Sequence, residues 1–142
     1  VGDWIGEGAT SDRGQGTGGF SFALDLQKNI LVRKNWADYP ATNDHAAFRH
    51  DDLMITYQES GKDPVQAIFF DSEHHVIRYV ATVSADGATV QFTSEAQASS
   101  PRYRLTYVKT GETTLTLKFE IAPPGKPDAF AAYIEAKAHR KP

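Results

Sequence analysis

Turn-forming clusters punctuate this chain at short, nearly regular intervals, and that spacing restricts the fold more than any other property. Clusters rich in Gly, Pro, Asn, Asp and Ser fall at 14–19, 27–29, 59–64, 71–74, 85–87, 98–101, 110–112 and 123–127. Between them lie runs of about eight to twelve residues rich in Val, Ile, Thr, Phe and Tyr, the signature of a meander of short strands. Ten runs can be counted, near 2–9, 18–26, 30–38, 50–59, 65–71, 75–84, 88–94, 102–109, 113–122 and 129–138.

Several runs alternate with period two, as a strand does with one wet and one dry face. Leu115, Leu117, Phe119 and Ile121 alternate with Thr116, Lys118 and Glu120, and Phe20, Phe22 and Leu24 with Ser21, Ala23 and Asp25. Tyr103, Leu105 and Tyr107 alternate with Arg102, Arg104 and Thr106. In the fourth run Leu53, Ile55 and Tyr57 form the apolar phase, against Asp52, Thr56 and Gln58, with Met54 as the exception. An open sheet of ten strands leaves edges and one apolar face uncovered; closure removes both problems. The expected fold is therefore all-β, a closed up-and-down antiparallel barrel of about ten strands with an internal cavity. Residues 128–139 are Ala-rich and favour a helix by propensity. They are read as the last strand, because an even number of strands lets the meander close. The segment 39–49 is the longest connection, with room for a helical turn.

The 142 residues make one domain, 1–142, with a sizeable core. A net charge of −3 gives no electrostatic footprint for nucleic acid or an anionic membrane. There is no apolar run long enough to span a bilayer as a helix. The absence of Cys removes disulfides, thiolate metal sites and a Cys nucleophile. The chain opens at Val1 without Met, so a trimmed leading segment is expected, with the cytoplasm as the default compartment.

Reactive motifs are sparse. The Gly-rich stretch 14–19 lacks the following helix and the Lys-Ser/Thr of a phosphate loop and reads as a flexible hairpin turn. His50 and Asp52 share a strand face and, with His45, His74 or His75, could make a two-His, one-carboxylate metal site. A solvated or ion-paired cluster is the plainer reading of those residues, and no metal is expected. No Gly-x-Ser-x-Gly or His-Glu-x-x-His motif occurs. Aromatics are more informative, because the apolar phase places Phe20, Phe22, Tyr57, Phe69, Tyr79, Phe92, Tyr103, Tyr107 and Phe119 inside. A ten-stranded barrel is too wide for side chains to fill tightly, and rings with a few hydroxyls describe a small-molecule site. The expected ligand-lining set is Phe22, Tyr57, Phe69, Tyr79, Phe92, Tyr103, Tyr107 and Phe119. Arg33, Arg78 and Arg104 are strand arginines able to meet a ligand carboxylate, although the register puts Arg104 outside.

The opening residues Gly2-Asp3-Trp4-Ile5-Gly6-Glu7-Gly8 resemble the first strand of the lipocalin-like superfamily, and the longer pattern is similar to the nitrobindins. Residues 20–22, 31–35, 70–77 and 119–125 resemble a bacterial branch of the same fatty-acid-binding-protein-shaped barrels. The resemblance implies a calycin-like barrel in which Trp4 plugs one end beneath an Arg, here Arg140. It also implies binding of a small apolar or amphiphilic molecule, as carrier or sensor, with no nucleic-acid or membrane partner. A hydrolase or isomerase in the same cavity, or a barrel without a ligand that binds a partner through its outer face, are the competing readings. Nitrobindins hold haem through a His near the start of the final strand. Residues 128–133 contain no His, and His139 lies at the strand's far end, so no haem and no other cofactor are expected. Tyr133 is the one residue there with any capacity to ligate ferric haem.

Overall fold

The computed structural model describes the backbone of residues 1–11 and 14–142 and the side chains of residues 1–7 and 15–142. Ten strands follow one another: β1 (Gly2–Ser11), β2 (Gly14–Asp25), β3 (Ile30–Tyr39), β4 (Phe48–Tyr57), β5 (Gln66–Asp71), β6 (Val76–Val83), β7 (Thr89–Ser94), β8 (Arg102–Lys109), β9 (Thr114–Ala122) and β10 (Ala131–Arg140). Each pairs antiparallel with its chain neighbours, and β1 also pairs with β10, which closes the barrel. The Ala-rich final segment is thus a strand. Its helix propensity loses to ladders of partners on β9 and β1. The stretch 14–19 is not a turn, as expected, but the first half of β2. There glycine permits strands to approach closely: a Cβ at Gly19 would lie 2.7 Å from the Trp4 carbonyl oxygen. Residues 40–47 form the β3–β4 connection without a helical turn.

Register decides what faces the lumen. Phe22 pairs with Arg33, Arg33 with Met54, Met54 with Phe69 and Phe69 with Ile77, so these side chains share the inner face. The same ladders place Asn35, Asp52 and Asp71 in the neighbouring inner row. Phe20, Met54, Ala67, Tyr79, Phe92, Leu105, Tyr107 and Leu115 belong to one buried cluster. At this level side chains from opposite walls meet. Phe20 and Phe22 approach Tyr107 at centroid distances of 5.8 and 5.4 Å. The Arg33 guanidinium lies 5.9 Å from the same ring, although β3 and β8 stand on opposite walls.

Closure occurs where β1 meets β10. Register shifts against both partners bend β1, as bulges do. Trp4 is half-buried, stacks on Phe20 at 6.2 Å, and pairs across the ladder with Arg140. Arg140 itself lies over Gly2, where a Cβ would come within 2.8 Å of Nε. On the outer wall, the β9–β10 connection folds back over β8. There the Phe130 ring sits 4.0 Å from the Arg104 guanidinium, which grips Glu120 at 2.7 and 3.0 Å.

Candidate functional site

The inner faces of β3, β4 and β5 carry a file of polar side chains running from the middle of the lumen to the rim at the β3–β4 and β5–β6 connections. It begins with Arg33, whose Nη1 is ion-paired with Asp52. Both side chains are nearly buried, at 6% and 5% exposure. Asn35 Nδ2 donates to the other Asp52 oxygen at 2.8 Å. Burial raises the Asp52 carboxyl, but Arg33, His50 and Asn35 outweigh it and hold the group below the usual carboxylate range.

Next along the file is His50, one residue pair nearer the rim. Its Nε2 lies 3.4 Å from Asp52 Oδ2 and its Nδ1 2.9 Å from Glu73 Oε1. The hydrogen bond to Asp52, with that to Glu73, raises the imidazole pKa against the opposing effect of burial. Asp71 is the direct cross-strand neighbour of Asp52, and its side chain is 5% exposed. Its Oδ1 accepts from the backbone N–H groups of Glu73 and His75, both at 2.9 Å, and Oδ2 faces His75 Nδ1 at 2.8 Å. Burial works against this charge, yet the His75 and Glu73 hydrogen bonds keep the Asp71 carboxyl below its ordinary range. One ligand atom each from His50, Asp71 and Glu73 lie within 4.8 Å of one another. An open groove of about 750 Å³ lies at the same end, lined by Gly16, Tyr39, Phe48 and Arg49 among others.

Deeper in the lumen the chemistry changes from acceptors to donors. Among the described residues, three buried side-chain atoms lack a hydrogen-bond partner: Trp4 Nε1, Arg33 Nε and the Tyr107 hydroxyl. All three groups surround Phe20, with Trp4 stacked on it, Tyr107 edge-on and the Arg33 guanidinium 5.6 Å from its centroid. Burial pushes the Tyr107 phenol up to about 12 and Tyr79 higher still, against the lowering effect of nearby Arg33. That proximity perturbs the Tyr107 hydroxyl without giving it a hydrogen bond of normal geometry.

Of the expected lining residues, Phe22, Phe69, Tyr79, Phe92, Tyr103, Tyr107 and Phe119 occupy the inner register. Tyr103 stacks on Phe119 at 6.0 Å, and the Tyr133 ring meets Phe119 edge-on at 6.1 Å. Tyr57 is a correction. It pairs with Ile30 and Gln66 in the phase opposite to Met54 and faces outward, together with Leu53 and Ile55. Met54, taken as the exception, is in phase with the true interior. Among the arginines, Arg33 points inward, whereas Arg78 pairs with Ile68 on the outer face. The expected cluster partners of His50 also differ: His45 lies exposed in the β3–β4 connection, His74 is exposed, and His75 turns to Asp71. Asn35 and Asp71 were missed. The one available signal was the polar phase of β4, where His50, Asp52 and Thr56 alternate with Leu53 and Ile55. No protein-family model matches the chain, and no curated protein matches it at a significant level.

Proposed function

We propose that the barrel binds a small amphiphilic molecule, as a carrier or sensor, with its apolar part among the lumenal rings and a polar atom against Arg33 and Tyr107. The observation that carries this reading is the set of three orphaned donors around Phe20. A buried donor left unpaired costs about 1–3 kcal/mol, and such groups call for an acceptor from outside the chain. Asp52 already neutralises Arg33, so a carbonyl or hydroxyl suits these donors better than a second carboxylate. The ten-strand closure accords with the nitrobindin-like barrels that residues 2–8 resemble, which supports a lumenal ligand.

Catalysis in the same lumen would call for a group that titrates near neutrality beside the ligand. Around the orphaned donors Asp52 is held low and the two phenols high, and His50 stands nearer the rim, which favours binding over proton transfer at that place. A second reading draws on the outer wall. Leu53, Phe70 and Val76 are successive cross-strand neighbours there, with Phe70 and Val76 exposed, and the packed middle of the lumen is compatible with a barrel that meets a partner through this face. Titration with an apolar fluorescent probe separates the two. Saturable binding near one probe per chain, weakened by Tyr107→Trp in a protein that still folds, supports the lumenal site. Equal binding by both proteins refutes it.

A further inference from the structure

The cluster at the rim has a different chemistry from the donors in the lumen. His50 comes from β4, Asp71 from the last position of β5 and Glu73 from the β5–β6 turn. Their ligand atoms gather within 4.8 Å. Three donors at about 2.0–2.2 Å around one small divalent ion lie about 3–3.5 Å apart, so the observed set needs to contract by at most about 1.3–1.8 Å. His50 Nδ1 and Glu73 Oε1 already lie 2.9 Å apart, so the contraction falls on the distances to Asp71.

We infer that His50, Asp71 and Glu73 form a binding site for one divalent first-row transition-metal ion at the rim of the barrel. Three independent features support it. First, the two ring nitrogens of His50 have distinct neighbours: Nδ1 faces Glu73, while Nε2 faces Asp52. A ligating histidine characteristically donates its far N–H to a carboxylate, which fixes the ring and raises its basicity. Asp52 is placed for that task and is itself held by Arg33 and Asn35. Second, Asp52 and Asp71 are directly opposed on adjacent strands, each only 5% exposed. Like charges so placed repel; Arg33 answers Asp52, whereas among the described residues Asp71 has an ion pair only with His75. Third, the donor set suits such an ion. One imidazole with two carboxylates is a borderline-to-hard donor set suited to Zn²⁺ or Mn²⁺, and three protein ligands leave positions open toward the rim.

The test uses the whole chain, stripped with a chelator and titrated calorimetrically with Zn²⁺ and, separately, with Mn²⁺ followed by electron paramagnetic resonance. Saturation at one ion per chain is expected for at least one of the two metals, with a rise in melting temperature. Loss of an outer-shell partner costs a metal site about 10–100-fold, so His50→Gln and Glu73→Gln should each weaken binding at least about tenfold. His139→Ala, which removes the His–carboxylate pair with Glu7 at the opposite end, should leave the titration unchanged. Circular dichroism of each variant reports whether the barrel is intact. Failure of both metals to saturate would overturn the site, as would binding that survives in the folded double variant His50→Gln/Glu73→Gln.

Discussion

Removing the charge of Asp52 should expose how far the lumen depends on one ion pair. In Asp52→Asn the shape is kept, but Arg33, 6% exposed at its side chain, loses its counter-charge. Arg33 cannot shed its proton, and its pKa is raised further despite burial. It has no second carboxylate partner among the described residues, and its Nε is already unpaired. Breaking a buried pair from one side costs about 3–5 kcal/mol, because an uncompensated charge remains in a low dielectric. At about 3–4 °C per kcal/mol for a chain of this size, the melting temperature should fall by roughly 10–20 °C. The double variant Arg33→Met/Asp52→Leu removes both charges and should recover to within about 1 kcal/mol of the parent, or exceed it. Urea unfolding followed by circular dichroism gives the energies, with unchanged slope as the sign that the native and unfolded states remain comparable. A loss below about 1 kcal/mol in Asp52→Asn would mean that water reaches Arg33. A double variant as unstable as the single one would mean that shape, not charge, is what Asp52 supplies.

Other consequences can be measured on the same protein. Arg104 hydrogen-bonds Glu120 and depresses its folded pKa, so the stabilisation is complete above the unfolded carboxyl value near about 4.3 and is lost as pH falls through the folded value. The stability difference between the parent and Glu120→Gln should be constant from pH 6 to 8 and shrink below about pH 4; a difference that persists into acid would contradict the pairing. Gly19→Ala should destabilise by about 1–3 kcal/mol, since its Cβ would press on the Trp4 backbone oxygen, and a neutral result would show that β1 and β2 are looser than described. Trp4→Ala should cost about 3 kcal/mol, the lower end of the range for a large aromatic because the indole is half-buried; a cost under 1 kcal/mol would remove Trp4 from the barrel's closure. Titrated hemin should give no sharp Soret shift, and a stoichiometric shift abolished by Tyr133→Phe would overturn that expectation.

What was legible in the residues was local. Turn spacing and period-two alternation mark ten strands, and the strands found differ from those runs mostly at their ends. Even residues 128–139 yielded to a simple count, since an odd meander could not have closed with every pair antiparallel. Eight of the nine aromatic residues assigned to the interior fell on the inner face because in their strands the apolar phase and the inner phase coincide.

In β4 they do not coincide, and there only the tertiary structure decides. Alternation says that a strand has two unlike faces; it does not say which one the closed sheet turns inward. Leu53, Ile55 and Tyr57 looked like the core phase, yet pairing of Met54 with Arg33 and Phe69 sends the opposite phase, His50, Asp52, Met54 and Thr56, into the barrel. The polar phase is tolerated inside because Arg33, Asn35 and Glu73 meet it with complementary charge and hydrogen bonds. Those partners lie about twenty residues away on either side of Asp52 and come together only through the registers of β3, β4 and β5. Strand formation is a property of a few successive residues, whereas the inward face and the polar file are properties of pairing across the sheet.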